Sequence, residues 1–285
     1  MARDSEVPTF RVGGVPVAAL DMTGLVQSIR RSLSRGSSAP GSYVTFCGAH
    51  GIVESQVQPR LQKAYEDAWL SVADGRPLFW LGRLRGFRSV RQVPGIESME
   101  IICRAGLAEG WSHYFLGGAP GVAESLATKM AELVPGLHIA GFEMPPFRPL
   151  SSKDLDVIRS RIRDSGAQIV WVGLGAPKQE LFMADLAVHL PGTVSLGVGA
   201  AFDFNTGRMR RAPRVVQVAG LEWAYRLLLE PRRLWPRYSV VVPRFLALVI
   251  PSLLFGTPAL DRHQRRADVL PSEVYKALPK APGSQ

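Results

Sequence analysis

The chain has 285 residues, enough for one large α/β domain or two small ones, either of which buries a sizeable core. Hydrophobic residues make up 46% and charged residues 20%, a balance that excludes an intrinsically disordered chain. The net charge of +10 favours an anionic partner: nucleic acid, a phosphate-rich substrate or an anionic membrane. Two cysteines, Cys47 and Cys103, make no disulfide framework, so a reducing cytoplasmic compartment is expected.

The first ten residues contain no apolar run, and no signal peptide is expected there. Residues 10–20 read as a small β-hairpin turned at Gly13-Gly14. Short apolar runs then predict strands over 43–46, 69–72, 113–116, 137–142, 168–173 and 193–199. Amphipathic stretches between them predict helices over 51–67, 95–109, 121–134, 152–165 and 178–190. Strands alternating with helices of this length imply βαβ units, hence an α/β fold with a mostly parallel, Rossmann-like sheet flanked by helices.

After Gly207 the character changes. Between Asn205 and Phe245 stand nine arginines (208, 210, 211, 214, 226, 232, 233, 237 and 244) against two acids, Glu222 and Glu230. None is Lys, and the Arg fork fits phosphate oxygens bidentately where Lys does not. Residues 221–229 read as an amphipathic helix. Residues 238–256 are mostly apolar and long enough for a membrane span, but Arg244 lies within them and Pro243 and Pro251 are expected to break them. An interfacial segment flanked by arginines fits better, with a C-terminal helix packed on the core as the alternative. The expected organisation is a catalytic core over 1–207, an Arg-rich membrane-docking appendage over 208–256 and a flexible tail over 257–285.

In open parallel sheets ligands bind at the carboxyl ends of the strands, and several ends here carry small or reactive residues. Asp74 follows an apolar strand; it reads equally as a desolvated general base or as the cap of a helix over 76–84. Gly117 and Gly118 open a turn where backbone can approach a diphosphate, although a full G-x-G-x-x-G is missing. Lys178, Gln179 and Glu180 crowd polar groups at a helix start: Lys178 suits phosphate, and Gln179 can donate to and accept from a sugar or base. Asp203 closes the sixth strand end. No Asp-x-Asp stands at a predicted strand end, the one at Asp154 and Asp156 falling inside the helix expected over 152–165, and the five histidines lack ligand spacing, so no metal site is expected; His50, near a strand end, reads as structural. Walker and Gly-x-Ser-x-Gly patterns are absent.

Six strings carry a resemblance: ADG at 73–75, FLGG at 115–118, GLGAPKQE at 173–180, GVGAAFDFNTG at 197–207, RAP at 211–213 and EWAYRLLLEPRRLWPRY at 222–238. In this order and spacing, over about 45–238, the chain resembles the WecG/TagA/CpsF glycosyltransferase family. The resemblance implies an inverting, metal-independent enzyme without a cofactor. It would pass an N-acetylmannosamine-type sugar, or a relative, from a UDP-sugar donor to a polyprenyl-diphosphate-linked sugar acceptor in cell-surface polysaccharide biosynthesis. Asp74 matches the family's proposed catalytic base, Thr45 its Thr before the cleft, and Gln179 its Gln near the donor or substrate sugar. Arg211, Arg226, Arg232 and Arg237 match best the arginines linked to membrane docking and to closing the site over the diphosphate.

Two positions depart from the family pattern. Cys47 stands where Thr-x-Asn has Asn, and Gln92 stands where Arg-Val-x-Gly has Arg, with Arg91 one residue away. These departures bear on which sugar is handled, and they leave a nucleotide-sugar-binding or scaffold relative as the second reading. A nucleic-acid partner is not expected, because no stacking-aromatic or groove-reading motif accompanies the charge. The expected location is cytoplasmic, peripheral on the inner face of the cell membrane. A homo-oligomer is compatible with the sequence, which locates no surface for it.

Overall fold

A computed structural model describes residue 4 and residues 6–254. The tail expected over 257–285, and the end of the apolar run at Gly256, lie outside the described residues. The chain opens with β1 (Thr9–Val12) and β2 (Val15–Ala18), an antiparallel hairpin. Gly13 and Gly14 turn it at φ of 55° and 79°, a left-handed pair that glycine adopts without a Cβ penalty.

Next comes a helix absent from the expected elements, α1 (Met22–Leu33). The Asp21 carboxylate caps it by accepting from the Gly24 N–H, and Leu25, Ile29 and Leu33 form its buried stripe. Then follow β3 (Ser42–Cys47), α2 (Ala49–Ser55), α3 (Pro59–Asp67), β4 (Leu70–Ala73) and α4 (Arg76–Leu84). The single helix expected over 51–67 is thus two. Pro59 starts α3 at a position that needs no N–H, and the residue before a proline is pushed out of helical conformation; Gln58 is extended, with φ −124° and ψ 94°.

The remainder is α5 (Gly95–Ala105), β5 (Ser112–Gly117), α6 (Val122–Leu133), β6 (His138–Glu143), α7 (Ser152–Asp164), β7 (Ile169–Gly173), α8 (Lys178–His189) and β8 (Val194–Gly197). Four helices close the described chain: α9 (Ala201–Asn205), α10 (Arg214–Val218), α11 (Glu222–Leu229) and α12 (Pro231–Leu254). The helix expected over 95–109 stops at Ala105, and 107–109 form a 3-10 turn.

The main sheet has six strands in the order β4-β3-β8-β7-β5-β6, every pair parallel. Both faces are covered, which explains strands that read as continuous apolar runs. One face, with Phe115, Trp171 and Leu196, packs on α1, α5 and α6 through Ile29, Met99 and Leu126. The other, with Tyr43, Val170 and Val172, packs on α7 and α8 through Ile162 and Leu186. From β3 the chain winds first outward to β4 and later returns to the opposite side with β8. That reversal opens a crevice at the carboxyl ends of the strands.

A third apolar cluster joins the two ends of the described chain. Phe10, Val12, Val15 and Val17 of the hairpin share it with Ile52 of α2, Leu81 of α4, and Val241, Phe245 and Val249 of α12. Helix α12 runs unbroken through Pro236, Pro243 and Pro251, which corrects the expected breaks at Pro243 and Pro251. Each proline removes one N–H from the helical ladder. The stripe of Leu234, Val241, Phe245 and Val249 keeps one face buried all the same. On its other sides Trp235, Val240, Leu246 and Ile250 remain exposed. Among the described residues, no helix is long and apolar enough to cross a membrane.

Candidate active site

The carboxyl ends of the strands open into one cleft of about 1510 Å³. The core supplies its floor with Asp74, Gly118, Gln179 and Gly199, while Arg211, Arg226 and Arg237 enter from the C-terminal helices and the loop before them.

Asp74 directly follows β4 and is held on three sides. Its backbone N–H donates to the Cys47 carbonyl at 3.1 Å, and its own carbonyl accepts from the Gln92 amide at 2.7 Å. Its carboxylate Oδ1 accepts from the Gly95 N–H at 3.0 Å, at the start of α5. Burial pushes this carboxyl up to about 6; the Gly95 hydrogen bond and Arg211 pull the other way, and Glu222 and Glu97 push with burial. A carboxylate fixed in a cleft and poised near neutrality is suited to take a proton from a hydroxyl. The alternative role, capping α4, is not used: that helix is capped at Gly75 with no side-chain bond.

The other expected residues divide between the cleft and the layer beneath it. Gln92 lines the cleft, whereas Arg91 does not; the exposed Arg91 guanidinium donates to the carbonyls of Arg88 and Val90, each at 2.8 Å. Thr45 is fully buried and its hydroxyl donates to Ser71 Oγ at 2.8 Å. Cys47 is also fully buried, and burial pushes its thiol far up, aided by Glu180 and Asp74. Gly118 faces the cleft; Gly117 lies behind it against the Gly173 backbone.

Exposed Lys178 stands at the cleft at the start of α8. Gln179 reaches the cleft wall but is only 4% exposed and already engaged. Its Oε1 accepts from the Gly175 N–H at 3.2 Å, and its amide nitrogen donates to Gly197 O at 2.9 Å and Glu180 Oε1 at 3.0 Å. In this state it braces the ends of β7 and β8. Glu180 is buried behind it, burial pushes its carboxyl up, and its Oε2 has no hydrogen-bond partner. Its neutral form suits that place better than a charge aimed at substrate.

Asp203 lines the cleft and pairs with Arg208 at 3.8 Å. Three of the four chosen arginines line it too, each against a protein partner: Arg211 Nη1 lies 2.9 Å from Glu97 Oε1 and its Nε 3.7 Å from Glu222 Oε1. Arg226 lies over the Phe204 ring at 5.7 Å, and Arg237 meets His50 Nδ1 at 2.8 Å. Arg232 is exposed and outside the cleft. Burial and Arg237 bring His50 down to about 4, so its Nδ1 accepts from the guanidinium.

The sequence reading passed over Glu97, Phe147 and Trp223, and took His50 as structural, whereas all but Glu97 line the cleft. His50 had a visible signal, its place just past the end of β3; Phe147 had another, the PPFRP string after β6. Phe147 is 78% exposed on the cleft rim. Among the described residues, no group of three or more His, Cys, Asp or Glu side chains is arranged to hold a metal ion.

Residues 10–258 match the model of a family described as the glycosyl transferase WecG/TagA/CpsF family. The matched span includes the hairpin from Phe10 onward, all six parallel strands and every residue of the cleft named above. The family is one of glycosyltransferases in polysaccharide biosynthesis, acting in general between a nucleotide-sugar donor and a lipid-linked acceptor. With its parallel sheet, its cleft at the strand ends and a match over nearly its whole length, this chain belongs to the glycosyl transferase WecG/TagA/CpsF family.

Proposed function

We propose that the protein is an inverting, metal-independent transferase that moves an N-acetylmannosamine-type sugar, or a relative, from UDP onto a polyprenyl-diphosphate-linked sugar. The observation that carries this reading is Asp74: a carboxyl fixed by Gly95 in the cleft and brought to about 6 by burial. It takes the proton from the acceptor hydroxyl as that oxygen attacks the anomeric carbon from the face opposite UDP. The sugar–phosphate bond breaks with its electron pair going to UDP, and the configuration inverts. Arginines at the cleft offset the charge on the departing diphosphate. The test is UDP release from UDP-N-acetylmannosamine and related donors, with and without a polyprenyl-diphosphate sugar, in EDTA. Acceptor-dependent release and a product of inverted anomeric configuration support the reading. Release that needs a divalent cation, or retained configuration, removes those parts of it.

The proposal includes docking on the inner, anionic face of the cell membrane, with residues 208–256 as the docking appendage. Two features support it. Arg208, Arg210, Arg214 and Arg232 are exposed, and the nearby helices expose Val215, Trp223, Leu228 and Trp235. Each Arg near such a surface contributes about 1 kcal/mol, roughly fivefold in affinity. The double variant Arg214→Glu with Arg232→Glu is therefore expected to lose at least tenfold in binding to phosphatidylglycerol vesicles in a sedimentation assay. Equal sedimentation of variant and wild type would remove the docking claim and leave the transferase reading untouched.

A further inference from the structure

Arg211 faces the cleft as one cation held between two carboxylates from different elements. Glu97 lies in the first turn of α5 and Glu222 in the first turn of α11, positions where a helix favours an acid. The Arg211 Nη1 donates to Glu97, and the Nε edge faces Glu222. The guanidinium is therefore oriented, and its charge is more than offset where it stands. A diphosphate entering beside Arg211 meets two carboxylates with it. The same first turn of α5 also holds the base, through the Gly95 N–H on Asp74.

We propose that Glu97 is a positioning residue that, together with Glu222, holds Arg211 at the cleft and weakens its grip on a nucleoside diphosphate, so that the product UDP can leave. The inference rests on the reading of the cleft as a nucleoside-diphosphate site. It assigns the two glutamates a function in turnover that is opposite in sign to that of the arginine they hold.

The groups that face Asp74 are Glu97 and the Gly95 N–H on α5, Arg211 on the loop before α10, Glu222 on α11, the Gln92 amide on its carbonyl, and the buried, neutral Cys47 thiol at the end of β3. Removing the Glu97 charge takes away one of the acids that push the Asp74 carboxyl up and leaves Arg211 pulling it down.

The test uses the full chain and titrates UDP by calorimetry, with inorganic pyrophosphate as a second probe. Glu97→Gln is expected to bind UDP about fivefold tighter, the attraction of one unit charge at 4 Å in a water-like dielectric. Its kcat and its KM for donor should both fall, and the acid limb of kcat/KM should move to lower pH. Glu97→Asp should restore wild-type behaviour. Glu222→Gln should tighten UDP in the same direction and carries the test if Glu97→Gln does not fold. A residue with only a structural role would leave UDP affinity unchanged or weaken it, and either result in Glu97→Gln, or in Glu222→Gln where that variant carries the test, overturns the inference. If wild type binds neither UDP nor pyrophosphate, the diphosphate reading falls and the inference with it. If Asp74→Asn retains full turnover while Glu97→Gln tightens UDP, the base reading alone falls.

Discussion

Asp74→Asn is expected to lower kcat by about 10²–10⁴-fold with UDP affinity retained, because the amide keeps the shape and cannot take the acceptor's proton. Asn can still accept from the Gly95 N–H, so the start of α5 keeps its contact. In the wild type, activity should rise with pH through about 6, where the buried carboxyl gives up its proton. The same substitution should also stabilise the fold. The folded-state value of about 6 lies above the ordinary 3.8, so the folded chain holds this proton more tightly than the unfolded one. That contribution favours folding fully at low pH and is lost as pH rises through about 6. At pH 7.5 the buried carboxylate therefore costs about 2–3 kcal/mol, and Asn removes the cost. A Tm rise of roughly 4–12 °C at pH 7.5, absent near pH 4, is the expected pair of melting curves. An unchanged Tm at pH 7.5 would mean that the carboxylate is well solvated, and a base of that kind would work at lower pH.

The second large effect is structural and lies one layer below the chemistry. Gly117 ends β5 with φ of 120°, and a Cβ there would stand 2.8 Å from the carbonyl carbon and oxygen of Gly173 at the end of β7. Backbone meets backbone at this point, so no side chain can move aside. Gly117→Ala is expected to cost about 2–5 kcal/mol, combining an unfavourable φ with overpacking. It should also disturb the Gly118 N–H bond to Gly173 O, 3.0 Å long, which helps to shape the cleft floor. Gly166→Ala is the control. Its φ is 68° but nothing lies within 4 Å of the added carbon, so it carries the backbone strain alone. Chemical denaturation of the pair separates the two contributions: equal losses would show that the approach of β5 to β7 relaxes freely.

Much of this architecture was legible because its strands are short, doubly buried and apolar, and are punctuated by glycine and proline. Strand order was not, since it depends on contacts between residues more than a hundred positions apart, such as Ser42 with Val194. Helix α1 was missed although Leu25, Ile29 and Leu33 have helical spacing; Gly24 in its first turn and four polar residues over 27–31 masked the stripe. The rule that ligands meet strand ends pointed to Asp74, Gly118, Gln179 and Asp203, which line one cleft. It failed to separate the residues that face the cleft from those that hold it. Thr45 and Glu180 lie in the same strings as cleft residues, yet both are buried, because alternation along a strand and rotation around a helix turn neighbours to different sides. The partners of the arginines were invisible for a simpler reason. Nothing in the spacing of Glu97 and Arg211, 114 residues apart, announces a pair.

The apolar cluster shared by the β1–β2 hairpin and helix α12 also bears on how the protein is made. The hairpin leaves the ribosome well before α12, separated by about 235 residues between Phe10 and Phe245. At 5–20 residues per second that gap is roughly 12–47 s, during which Phe10, Val12, Leu81 and their neighbours lack part of their cover. The nascent chain thus carries an unfinished apolar surface until α12 is made, and that helix closes it. Chains released early, before α12 is made, would keep that surface and become clients of chaperones or proteases, so only chains that include α12 would accumulate.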